Sequence, residues 1–326
     1  MRITLPGKVL LLLILSFPFS FFTASSQSIT TGNGRFEFGI GVGPLFFLGD
    51  LGGNGGTGKR FVKDVNFPLT KMAKGAYAQF YATEWLGFRA AINHGKLEGY
   101  DNIISDKGGA EVFRKKRNLQ FQTDILEAYV GAEIYPTVFI EQDDELKGKL
   151  RPYGVIGVGA FRFNPKGEYF APDGTSSWVA LKPLRLEGQG MKEYPNRKEY
   201  SLIQMEIPVG VGFKYFVKEN FHIGLEVMHR KTFTDYIDDV STNYIDANLF
   251  ANYLTPEQTA MANQLHNREN FVPNGPLNRP AINEQRGNPK QTDSFFSTVF
   301  RMGWRLPDQS SWGFKANRQM RCPTYF

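Results

Sequence analysis

The chain is poor in cysteine: Cys322 is the single one in 326 residues. One thiol excludes an internal disulfide framework, and in an exported protein an odd cysteine is either idle or paired with another chain. Metal motifs are missing as well, since Asp235, Asp238 and Asp239 depart from the calcium-loop spacing. After residues 9–22 no second apolar run approaches the length of a spanning helix, and the mean hydropathy is −0.33. That excludes a helical membrane protein; a barrel, which shows only half of each strand to lipid, remains open. Charge is nearly balanced. The formal net charge is +6, falling to +4 without Arg2 and Lys8, too weak and dispersed for a nucleic-acid partner.

What is present begins with Arg2 and Lys8, an apolar stretch from Val9 to Phe22, and then Thr23-Ala24-Ser25-Ser26-Gln27. This reads as a secretory signal peptide over residues 1–26, with Ala24 and Ser26 suited to cleavage before Gln27. No cysteine follows the run, so a lipid-anchored start is not expected. Aromatics make up 14% of the chain and glycine supplies 34 residues, as expected where rings form membrane girdles and glycines line a tight interior.

The longest pattern runs from Tyr200 to Arg230. Its first arm sets Ile203, Met205, Ile207, Val209, Val211, Phe213 and Tyr215 on one parity, against Gln204, Glu206, Pro208, Gly210, Gly212 and Lys214 on the other. After a turn at Val217 to Asn220, Phe221, Ile223, Leu225 and Val227 face one way and His222, Gly224, Glu226, Met228 and Arg230 the other. A period of two sustained that far lays one face on something apolar. A polar face mixing glycines with charges of both signs fits the interior of a narrow closed barrel whose outside is solvated by lipid.

Similar alternation predicts strands over residues 35–48, 74–82, 85–99, 119–135, 151–164 and 293–306, which with the two arms makes eight. Around Pro44 the register is expected to bend, leaving the face of Glu37 open, and Pro208 predicts a bulge. The short connections are Thr83-Glu84, the acidic turn Glu141 to Glu145, and Val217 to Asn220; the four others are long. The expected fold class is therefore all-β: an eight-stranded antiparallel transmembrane β-barrel with long extracellular loops and short periplasmic turns. Its place is the Gram-negative outer membrane, with the barrel over 27–306 and a periplasmic tail over 307–326. The loop 165–199 reads as aperiodic, and the excursion 231–292 is expected to hold one or two short helices, because Thr255-Pro256-Glu257-Gln258 carries the signature of a helix start.

Candidate residues fall into three sets. Arg89, Glu127, Glu133, Glu206, Glu226, Arg230, Arg301 and Arg305 point inward by parity. Paired acids could catalyse proton transfer, but in a barrel just wide enough to be filled by side chains they are expected to form an ion-paired plug. His94, His222 and His229, with Ser105 nearby, form no readable triad, so no catalytic set is expected. The basic run Arg114-Lys115-Lys116-Arg117 reads as a solvated loop end or a contact for anionic lipid heads, and Gly56-Thr57-Gly58-Lys59 lacks the spacing and context of a phosphate loop. Lastly, Cys322 sits with Arg318 and Arg321 on the periplasmic tail, open to an intermolecular disulfide.

At Phe233-Thr234-Asp235-Tyr236-Ile237-Asp238-Asp239-Val240-Ser241 the chain resembles the PorG-type outer-membrane barrels associated with the type IX secretion system. The opening Phe36 to Leu51, ending in Leu48-Gly49-Asp50-Leu51, and the terminal Arg321-Cys322-Pro323 are similar to that family's first strand and tail. The resemblance implies a non-enzymatic barrel, without cofactor or small-molecule substrate, that fixes a periplasmic ring to the outer membrane. The ring partners it implies are a PorK-like lipoprotein and a PorN-like protein, with docking or cross-linking through Cys322 and the flanking Arg318 and Arg321. A surface adhesin or receptor working through the long outer loops, and a lipid A-modifying barrel enzyme, are the other readings.

Overall fold

The computed structural model describes residues 35–51, 70–103, 111–139, 149–218, 220–269, 271 and 281–306. The leader, the glycine loop with Gly56 to Lys59, Ser105, the acidic turn Glu141 to Glu145, and the tail with Arg318, Arg321 and Cys322 lie outside the described residues.

Ten strands form one sheet. They are β1 (Phe36–Leu48), β2 (Lys71–Tyr81), β3 (Leu86–Tyr100), β4 (Gln120–Ile134), β5 (Leu150–Arg162), β6 (Lys166–Phe170), β7 (Ser176–Ala180), β8 (Ile203–Lys218), β9 (Phe221–Thr232) and β10 (Ser294–Arg305). Eight of them close into an antiparallel barrel: β1 pairs with both β2 and β10, and the circuit runs on through β9, β8, β5, β4 and β3. Following the paired residues from Phe36 through Phe80, Phe88, Ala132, Ile156, Val209, His229 and Phe296 returns to β1 at Phe46, ten residues further on. That stagger is what tilts the strands of a narrow barrel.

Alternation sorts the side chains as their parity requires. Val211 and Ile92 stand 65% and 61% exposed on the outside, with Phe38, Phe88, Val130, Ile156, Met205 and Phe300 similarly bare. Such a surface is stable only in hydrocarbon. Ten residues at about 3.3 Å and a tilt near 40° give a band about 25 Å tall, the thickness of an outer-membrane barrel's apolar belt. Its periplasmic edge carries an aromatic girdle in which Phe36 meets Phe80 and Phe221 meets Trp304, each pair 5.2 Å between centroids. The protein is thus an integral outer-membrane barrel.

Several local expectations change. Parity continues unbroken through Pro44, because β1 keeps one register with β10 on both sides of it; Glu37 therefore points inward and is fully buried. No bulge forms at Pro208. It pairs with Arg230, and the β5–β8 ladder skips Ile207 and Pro208 and then resumes in the same register, so the missing N–H costs hydrogen bonds without inserting a residue. The one irregularity of the β8–β9 pairing falls between Phe216 and Lys218.

Nor are the long loops shapeless. Above the barrel, β6 and β7 form a hairpin that joins β4 through Gln122 and Lys166. Among the described residues α1 (Glu111–Arg117) precedes β4, and α2 (Phe250–Tyr253) and α3 (Pro256–His266) are the two short helices expected in the 231–292 excursion. At the start of α3 the capping box forms as read, with Thr255 and Gln258 exchanging hydrogen bonds. Gln264 of α3 acts as a surrogate strand, accepting from Phe170 N at 2.7 Å and donating to Phe170 O at 2.9 Å. Leu181, Leu184, Leu186, Ile245, Phe250 and Leu265 pack beneath as the core of an extracellular cap.

Candidate functional site

The lumen is filled from the periplasmic end upward. Inward positions on four strands, β1, β8, β4 and β2, bring Glu37, Lys214, Glu133 and Gln79 into one buried layer. Lys214 Nζ donates to Glu37 Oε1 at 2.9 Å and Gln79 Oε1 at 2.7 Å, and lies 3.2 Å from Glu133 Oε2. Tyr81 donates to Glu37 Oε2 at 2.6 Å, and His222 Nε2 sits 2.9 Å from Glu37 Oε1. Arg305 closes this layer over the Tyr81 ring. Gly39 and Gly303 leave the space here that the Tyr77 ring and His222 Nε2 occupy, and a Cβ at either position would overlap them.

In the next layer Arg89 bridges Glu133 and Glu226, and Arg301 Nη2 reaches Glu226 Oε1 at 2.6 Å. The Tyr77 ring lies under both guanidinium groups, and Tyr153 donates to Glu226 at 2.8 Å. Higher still, Arg230 grips Glu127 with two nitrogens at 3.0 and 3.2 Å, and Glu206 is buried in the same layer. A cavity of about 20 Å3 beside Glu127, Arg230 and Arg301 leaves room for a single water. Phe161, Phe163, Phe295 and Tyr200 then seal the barrel with rings 5.5 to 6.1 Å apart.

All eight inward charges named from the sequence lie in this column. Parity also placed Lys214 and His222 inside, but Glu37, Gln79 and the tyrosines that complete their shells were missed: an inward tyrosine looks no different in sequence from a girdle tyrosine. The three histidines are separated, His222 inside and His94 and His229 on the outer face, so they share no centre.

At the extracellular mouth a second polar node forms. Glu187 accepts from Ser241 N at 3.0 Å, Thr242 N at 2.9 Å and Arg286 Nη1 at 2.9 Å. Arg286 also donates to Asp239 O at 2.7 Å, while its own carbonyl accepts from Arg117. Here the basic run divides: Arg117 turns inward onto Asp101, at 2.8 Å, instead of lying solvated, and Lys115 and Lys116 stay exposed. Asp238 caps backbone, accepting from Val240 N and Leu51 N at 3.0 and 3.1 Å. Asp293 accepts from Ile237 N and Asp50 from Asn288 N, at 2.8 and 2.6 Å. Among the described residues no group of three or more His, Cys, Asp or Glu is arranged to hold a metal.

Burial dominates the proton equilibria of this node. It pushes Asp239 up to about 7, against the Arg286 charge and the Tyr200 hydroxyl, and Asp235 up to about 8. A carboxyl whose folded pKa is raised keeps its proton while the unfolded chain loses it, so stability is greatest below the unfolded pKa near 3.8 and declines as pH rises to the folded value. His266 works the other way below 6.5, its pKa lowered to about 3 by burial and by Arg286 and Arg197. Between about pH 6.5 and 8 only the carboxyls act, so the cap loosens as pH rises. Hydrogen exchange over residues 235–245, corrected for the intrinsic rate, should show weaker protection at about pH 8.5 than at about 6.5; equal protection would contradict the assignment.

No protein family matches the chain, and no curated protein does. Among solved structures it is similar to Ail, the attachment invasion locus protein of Yersinia pestis, in complex with the heparin analogue sucrose octasulfate. The identity there is 8%, covering 84% of this chain and 99% of that one, with a TM-score of 0.35. The outer membrane protein OprG from Pseudomonas aeruginosa shows 12% identity, 85% and 99% coverage, and a TM-score of 0.34. A major outer membrane protein from Thermus thermophilus shows 11%, 83% and 99%, and 0.36. The barrel assignment rests on the strand register itself and does not lean on these likenesses.

Proposed function

We propose that this barrel is a non-enzymatic membrane anchor, holding a periplasmic ring of the type IX secretion kind to the outer membrane. The observation that carries the reading is the mouth node. The two interior segments on which the family resemblance rests, ending at Leu51 and running through Asp238, are 187 residues apart and are hydrogen-bonded to each other. Segments that meet in space are constrained together, which supports reading the two matches as parts of one structural unit. The filled lumen supports the same reading. With Arg89, Lys214, Glu133 and Glu226 all buried and paired, the barrel offers substrate no path through its axis, and its work falls to its two ends.

Mild solubilisation of envelopes followed by affinity capture is expected to recover a PorK-like lipoprotein and a PorN-like ring protein. Non-reducing electrophoresis should add a higher-mass band that Cys322→Ser removes. Recovery of the intact barrel without either ring protein would end the anchoring proposal.

The ordered cap favours a second reading, a surface receptor or adhesin. Trimming residues 243–291 separates the two: a receptor loses its ligand while export continues, whereas the anchor is unaffected so long as the barrel closes.

A further inference from the structure

On the lipid-facing side of the β2–β3 ladder four cross-strand pairs follow one another from the extracellular end downward: Lys74 with His94, Ala76 with Ile92, Ala78 with Ala90, and Phe80 with Phe88. The order is basic residues, then aliphatic side chains of which the Ala78 and Ala90 pair is the shortest, then rings. Around Ala78 and Ala90 the outer wall is recessed into an apolar crease of about 730 Å3, floored by Val130 and Val158 and walled by Phe80 and Phe88. On β9 and β10 large side chains fill the equivalent positions, as Leu225 against Phe300 and Ile223 against Met302 do.

Lys74 and His94 stand where the apolar belt ends on the extracellular side. Their cross-strand row continues through Leu126 to Arg162 on β5. Lys96, one step higher, is opposite Asp124 and so is partly compensated. Lys74, His94 and Arg162 have no ion-pair partner among the described residues. Basic groups facing outward along one row that climbs with the stagger from Lys74 to Arg162, above a recess that hydrocarbon must fill, match one ligand: an acylated molecule whose phosphate lies in the outer leaflet. A purely apolar partner would strand the cations, and a lipid of the inner leaflet would put its head among the periplasmic aromatic rings.

We propose that this crease and its basic crown bind a phosphorylated glycolipid of the lipid A class, with an acyl chain along Ala78 and Ala90 and phosphate on Lys74, His94 and Arg162. The site is independent of the anchoring role and stands if that role fails.

The test uses the full-length protein purified in detergent and incubated with bisphosphorylated lipid A or with phosphatidylglycerol, bound lipid being counted by native mass spectrometry. Wild type should retain one lipid A and little phosphatidylglycerol. Lys74→Ser and Arg162→Ser should each weaken retention about fivefold, the loss of one cation at a membrane surface, and Ala78→Phe with Ala90→Phe should abolish it by filling the recess. Closure of each variant is checked by heat-modifiable electrophoretic mobility, and Ala78→Leu replaces any filled variant that does not close. Equal retention of both lipids, no retention by wild type, or retention unchanged in the cation variants would each overturn the assignment.

Discussion

Replacing Arg89 with methionine should cost the barrel about 3–5 kcal/mol, the penalty for leaving buried charges without their partner. Arg89 is 1% exposed and bridges the Glu37–Lys214–Glu133 layer to the Glu226–Arg301 layer. Its loss leaves Glu133 with Lys214 as counter-charge beside the neutral donors Gln79 and Tyr135, and Glu226 with Arg301 and Tyr153. The measurement is urea unfolding of the protein in lipid vesicles. Adding Glu133→Gln to Arg89→Met should recover part of the loss, because a neutral amide no longer needs a counter-charge. A change below about 1 kcal/mol in Arg89→Met would mean that water reaches the lumen and screens these groups.

Cutting the mouth node should do the opposite: release the cap and spare the barrel. Arg286→Ala removes the cation from Glu187 and the donor to Asp239 O, while touching no lumen pair. A local cost near 3 kcal/mol corresponds to about a hundredfold rise in the open population, and so in the rate of tryptic cleavage between residues 233 and 293. The urea midpoint of the barrel should hardly move. Cleavage at the wild-type rate, or a matching fall in barrel stability, would show that the node does not secure the cap as a separate unit.

The two sites differ in how much of them the amino-acid order discloses. Outward and inward faces could be read because parity is a local property: Leu126, Ala128, Val130 and Ala132 alternate with Glu127 and Gly131 whatever the rest of the chain does. Which charge meets which could not. Arg89 and Glu226 are 137 residues apart, and only the stagger of the closed sheet brings β3 and β9 side chains across the axis to each other. Glu37 was ambiguous because proline at position 44 commonly breaks a register, and here the glycine beside it lets the strand run on. In the cap, α3 was legible from its capping box, a signal confined to four residues. The β6–β7 hairpin was not, because strands of five residues facing a helix on one side and solvent on the other carry too few alternations to stand out. The mouth node had no local signature: Asp50 and Asn288 meet across 238 residues.

The pairing of β1 with β10 bears on biogenesis. Among the described strands Glu37 comes from the first and Arg301 and Arg305 from the last, so the ionic column cannot be completed until β10 has been made and exported. Until then the nascent polypeptide carries two unsatisfied edges and a row of uncompensated charges. It must be escorted across the periplasm in an insertion-competent form, and loss of β10 would leave the sheet as open as loss of β1.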